Sequence, residues 1–153
     1  MNALAPLFNP DCIALDNPAK NRADAFAAAG ELFAKQVGID ANSVIEFLNA
    51  REELGSTALG AGVAIPHGRV KGLKQPAAAL FRLKDPIEFA APDGEPVKTL
   101  IFLLVPEKAT QQHLEILSSI AQLLSDSDVR ETLSTSTDTT KVCELLQNWG
   151  NTK

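Results

Sequence analysis

The sequence predicts an α/β domain, and three observations carry that reading. Segments with apolar residues at spacings of three and four alternate with short apolar runs bounded by glycine and proline, the patterns of helices and strands. One run, Val97 to Val105, is almost continuously apolar, as expected of a central strand covered on both faces. The chain has 153 residues, 45% hydrophobic and 22% charged, which suits one domain with a real core and is too apolar for a disordered chain.

The elements follow in order. Residues 1–10 lack periodicity and hold Pro6 and Pro10, so they read as an N-terminal arm. Cys12 to Leu15 reads as a short strand. Asn17 suits an N-cap with Pro18 at the first helical position, and Phe26, Gly30, Phe33 and Val37 then mark one helix face until Gly38. A second helix starts near Asp40, where Ser43 and Glu46 have capping-box spacing; Val44, Phe47, Leu48 and Arg51 share a flank before Gly55. Arg51 is thereby expected at a helix C-terminal end.

From Gly55 to Gly62 the glycines, Ser56 and Thr57 predict a loop feeding the strand Val63-Ala64-Ile65. Pro66-His67-Gly68 is expected to end that strand, leaving His67 at a strand end with its side chain exposed. Ala77 to Leu83 and Val97 to Val105 are further strands, separated by the turn Pro92-Asp93-Gly94. After Pro106 the pattern turns helical, with Thr110 as N-cap, His113 in the first turn, and Leu114, Leu117, Ile120, Ala121 and Leu124 on one face. A short helix after Ser127 and a last one from Thr139 to Gln147, with Val142, Leu145, Leu146 and Trp149 inward, complete the chain. The predicted organisation is an arm (1–10), one domain (11–150) and a tail (151–153).

Charge narrows the function. The net charge is -5, which disfavours general nucleic-acid binding. Between Leu54 and Lys84 there are five cations, Arg69, Lys71, Lys74, Arg82 and Lys84, and no acid, so this stretch carries +5 and the remainder -10. Strand-rich segments are poor in acids anyway; the other reading is an anion-handling region on an acidic protein. No apolar run approaches the roughly 20 residues of a membrane span. No cation precedes Lys20 and no apolar signal core follows Met1, so a cytoplasmic location is expected, with Cys12 and Cys143 as reduced, buried thiols.

The chemistry converges by elimination on histidine. Two histidines and two distant cysteines do not make a metal-ligand spacing, so neither a metal nor another cofactor is expected. The glycine-rich loop lacks the ending of a phosphate-binding Walker loop, and no serine-hydrolase elbow is present. His67 remains, followed by Arg69, Lys71 and Lys74. Imidazole is a neutral nitrogen nucleophile near pH 7 and accepts a phosphoryl group without a separate base. Its transfer needs positioning and neutralisation of the phosphoryl oxygens, which suits Arg51 with the hydroxyls of Ser56 and Thr57. His113, in a helix's first turn, is disposed to stay neutral and to orient such a group. Each residue also has a structural reading: a hydrogen-bonded strand-end His67, a His113 edging an apolar face, an Arg51 favoured by the helix dipole, turn-shaping hydroxyls, and solvated cations.

The stretch Arg51-Glu52-Glu53-Leu54-Gly55-Ser56-Thr57 through Gly62-Val63-Ala64-Ile65-Pro66-His67-Gly68-Arg69 resembles a known family. It is similar to the enzyme IIA domain of the fructose/mannitol class in the bacterial phosphoenolpyruvate-dependent phosphotransferase system, especially its nitrogen-regulatory branch. Leu104-Val105-Pro106 and His113-Leu114-Glu115-Ile116-Leu117-Ser118 extend the likeness over nearly the whole chain after residue 10. The resemblance implies a single mixed β-sheet flanked by helices on both faces, and a phosphohistidine carrier. His67 matches the phosphorylated histidine, reacting at Nε2; His113 matches the assisting histidine, and Arg51 the arginine beside them. The donor would be an HPr- or NPr-like phosphocarrier protein. In the nitrogen branch the phosphorylation state would then control binding to regulated targets, such as potassium-handling and sensor-kinase systems. A sugar-specific component passing phosphate to a IIB domain is the alternative, and the free-standing length favours the regulatory branch. From outside phosphotransfer come two more readings, a protein-binding regulator without chemistry and a two-histidine phosphodiesterase.

Overall fold

The computed structural model describes residues 4–108 and 111–149. Six strands form one mixed sheet: β1 (Ile13–Asn17), β2 (Ala58–Gly60), β3 (Val63–Ala64), β4 (His67–Val70), β5 (Ala77–Ile87) and β6 (Val97–Pro106). Five α-helices accompany them: α1 (Arg22–Val37), α2 (Ala41–Glu53), α3 (Gln111–Ser125), α4 (Ser127–Thr135) and α5 (Thr139–Asn148). The strand order is β1-β5-β6-β3-β2, with β4 also paired to β6. β1 lies parallel to β5, β5 antiparallel to β6, β3 and β4 parallel to β6, and β2 antiparallel to β3.

β6 explains the layering. Its side chains alternate, so Leu100, Phe102 and Leu104 join the core beneath α1 and α2, while Ile101, Leu103 and Val105 join the core beneath α3, α4 and α5. Every one of these six is fully buried, which is why the run reads as continuous apolar sequence. Phe102 packs edge-on against Phe26 of α1 and Phe81 of β5, with ring centroids 5.8 and 5.3 Å apart.

Several boundaries differ from the sequence reading, each for a local reason. Asn17 ends β1 instead of capping α1: its Oδ1 accepts from Ala19 N, and Asn21 is the cap, accepting from Asp24 N. The first strand accordingly starts after a 3₁₀ turn at Pro10–Cys12. Asp40 caps α2 by accepting from Ser43 N, so Ser43 is the residue capped and not the cap. The expected glycine loop contains strand β2, and β5 runs on to Ile87. On α3, Leu114 is 60% exposed, whereas Ile116, Ile120, Leu123 and Leu124 are buried and Leu117 and Ala121 pack beside them; Val37 of α1 is also exposed. The cap expected at Thr110 lies outside the described residues. Residues 4–10, expected as part of an arm, lie against the second core: Leu4 and Phe8 are buried there, and Gln147 Nε2 donates to Phe8 O at 2.7 Å. Cys12 and Cys143 are free and buried.

Candidate active site

Pro66 does not end the pairing along β6. Parallel pairing there uses its carbonyl, which accepts from Leu103 N at 3.0 Å, and a proline retains that group while lacking only the N–H. Ile65 N meanwhile donates to Thr57 O. The chain therefore resumes as β4, and His67 opens a strand where the sequence reading has it closing one. No strand pairs with the outer edge of β4 among the described residues. Its side chain is half-buried instead of exposed.

The interruption has a chemical result. His67 Nδ1 lies 2.8 Å from Ile65 O. A carbonyl only accepts, so Nδ1 carries the proton and donates, and Nε2 of the neutral ring holds the lone pair. Burial pushes the His67 pKa down, the bond to Ile65 acts against this, and the Arg51 cation pushes it down further. The ring is thereby kept in its nucleophilic, neutral form.

Around His67 lies a cleft of about 500 Å³ bordered by Phe47, Arg51 and Leu54 of α2 and its end, Arg69 of β4, Glu107 after β6, and His113 of α3. The sequence-derived trio Arg51, His67 and His113 is thus brought together from both sides of the sheet. The two imidazoles stand edge to face with centroids 6.2 Å apart. Arg51 Nη1 donates to Gly55 O at 2.9 Å, which steadies the guanidinium at the end of α2. His113 is 8% exposed, more enclosed than a first-turn surface position implies, and its Nε2 is buried without a hydrogen-bond partner. Burial, then the neighbouring His67 and Arg69, lower its pKa. An unpaired buried nitrogen costs about 1–3 kcal/mol.

The remaining expected site residues fall elsewhere. Ser56 Oγ donates to Phe89 O at 2.6 Å and accepts from Ala58 N. Thr57 is buried and bonded to Glu52 through both its hydroxyl and its N–H. Neither residue lines the cleft, and in the folded chain both hold the loop between α2 and β2. Lys71 and Lys74 sit exposed beyond β4, Lys74 on a separate groove with Val37, Ile39 and Leu73. Arg82 leaves the anion-handling region altogether: it is 2% exposed, paired with Asp16 at 3.1 Å and bonded to Leu133 O and Ser136 O. Glu107 and Leu54 are site residues the sequence reading misses. Glu107 directly follows the Leu104-Val105-Pro106 motif, a usable signal; Leu54, 84% exposed, carries none. No group of three or more His, Cys, Asp or Glu able to hold a metal occurs among the described residues, and no helix there is long and apolar enough to cross a membrane.

The chain is similar to known proteins along most of its length. Residues 6–149 match the model of the phosphoenolpyruvate-dependent sugar phosphotransferase system, EIIA 2. A nitrogen regulatory protein of Pseudomonas aeruginosa is 51% identical over 94 residues, a match spanning 61% of each chain. One from Klebsiella oxytoca is 34% identical over 97% of this chain and 92% of its own. The crystal structure of nitrogen regulatory protein IIA-Ntr from Neisseria meningitidis superposes with a TM-score of 0.89 at 42% identity, covering 93% of this chain and 97% of that one.

Proposed function

The chain belongs to the phosphoenolpyruvate-dependent sugar phosphotransferase system EIIA 2 family, and from that premise we propose that it is a phosphohistidine carrier whose acceptor atom is His67 Nε2. One observation carries the reading: the Nδ1–H bond to Ile65 O, which leaves Nε2 as the basic nitrogen of a neutral ring. The donor is a small HPr- or NPr-like protein phosphorylated on its own histidine. The Nε2 lone pair attacks phosphorus, the donor's N–P bond breaks, and its electron pair returns to the donor imidazole. Nδ1 keeps its proton throughout, so no base is needed. Arg51 neutralises the phosphoryl oxygens, and His113 supplies its unpartnered nitrogen to them from the other wall.

Regulation follows from charge. The cleft of the free protein presents Arg51 and Arg69 against the single carboxylate of Glu107. A phosphoryl group adds about two negative charges at that spot and reverses its sign for any partner that docks there. The likeness to proteins named nitrogen regulatory supports a regulatory role; a cytoplasmic location and target proteins such as potassium-handling and sensor-kinase systems complete the proposed reading. Arg69, Lys71 and Lys74 would serve as docking cations toward acidic partners.

Incubation with the phosphorylated carrier followed by mass spectrometry tests the proposal. One acid-labile phosphoryl group on His67 is expected, absent from His67→Ala; no label, or label persisting in His67→Ala, overturns it. If partner regulation in cells survives His67→Ala while transfer is undetectable, protein binding alone is the function.

A further inference from the structure

Helix α2 is seated between two glycines. A Cβ on Gly30 of α1 would lie 2.9 Å from Ala41 O and 3.2 Å from Ile45 Cγ1. A Cβ on Gly68 of β4 would lie 3.0 Å from Phe47 O, 3.1 Å from Phe47 C and 3.3 Å from Phe47 Cβ. Gly68 is not among the glycines with positive φ, so what it contributes is missing volume and not conformational freedom. Two of these atoms are helix backbone and the third is the Cβ fixed to it, none of which a rotamer change can withdraw, so a side chain here presses on the helix itself.

The placement matters because of what lies on either side. Gly68 stands between His67 and Arg69, the two β4 residues that line the cleft with their side chains. Phe47 lies one helical turn before Arg51, on the same flank of α2. We propose that Gly68 is a positioning residue for phosphoryl transfer: by lacking a side chain it lets α2 seat against β4 and sets the reach of Arg51 to His67. The proposal rests on His67 being the acceptor and adds to it the device that holds the guanidinium in range.

The test is a double-mutant cycle on the full chain, read by NMR titration of the unphosphorylated His67 ring and by the rate of phosphoryl acceptance. Gly68→Ala is expected to make His67 titrate at higher pH, because the Arg51 cation recedes, and to slow transfer about tenfold or more, as small misplacements near a reacting centre do. In an Arg51→Ala background the same substitution adds little to either readout. Equal effects in both backgrounds, or a folded Gly68→Ala with unchanged titration and rate, overturn the proposal. Gly30→Ala, which presses on the far end of α2, is expected to lower the melting temperature without moving the His67 titration. If it moves the titration as far as Gly68→Ala does, general loosening is the cause and the proposal falls. Should Gly68→Ala be too unstable to fold in plain buffer, the same titration is run in sucrose, which strengthens burial and favours the folded chain; an unshifted His67 there overturns the idea. The titration needs no phosphodonor, so it judges Gly68 even if the wild-type chain accepts no phosphoryl group, an outcome that would sink only the carrier reading.

Discussion

His67 is held neutral chiefly by burial, with a cation from another element adding to it, while a backbone carbonyl two residues earlier fixes the proton on Nδ1. A guanidinium offers a planar fork to phosphoryl oxygens, whereas an ammonium offers a point charge. Arg51→Lys is therefore expected to slow phosphoryl acceptance about tenfold, and His113→Ala about tenfold to a hundredfold, in single-turnover transfer assays on folded protein. Both histidines have pKa values lowered in the folded state. The unfolded chain then binds more protons than the folded one below about pH 6.5, so stability is complete above that pH and declines as pH falls toward the folded values. Denaturant midpoints measured from pH 7.5 to 5.5 are expected to fall for the wild type and to stay flatter for His67→Gln/His113→Gln. At this scale much of the site was legible, because only two histidines exist and each has one obvious neighbourhood. The hydroxyls of Ser56 and Thr57 were not, since which way a loop hydroxyl points depends on partners such as Phe89 and Glu52 that only folding delivers.

Elements were read well where periodicity was long and poorly where two equivalent signals competed. Asn17 and Asn21 both have the chemistry of a cap; pairing of Asn17 with Leu83 at the end of β1 decides between them. β2 escaped notice because three residues with two alternating burial states leave no pattern to count. Arg82 belongs by sequence to the cationic stretch, yet it is buried. It sits mid-strand in β5 and ties the C-terminal end of α4 to Asp16, a residue held at φ 57°. Arg82→Met is expected to cost about 2–4 kcal/mol by stranding the two carbonyls it serves, measured by chemical denaturation, with phosphoryl acceptance at His67 unchanged.

The whole molecule depends on a segment whose sequence lacks periodicity. Leu4 and Phe8 fill the core beneath α5, so the stretch before β1 contributes buried apolar surface despite its two prolines. Short irregular segments conceal this because no repeat reveals which residues turn inward. Deleting residues 1–8 is expected to lower stability by about 3–6 kcal/mol, at about 1.5–3 kcal/mol per large side chain, seen as an earlier denaturation midpoint.

The cleft draws its walls from α2 on one face of the sheet, α3 on the other and β4 between them. None of these pieces forms the cleft around His67 alone. Under the proposed carrier role, a phosphoryl group received at His67 is therefore also a certificate of docked helices, and a partner that reads it would respond only to molecules that have passed that inspection.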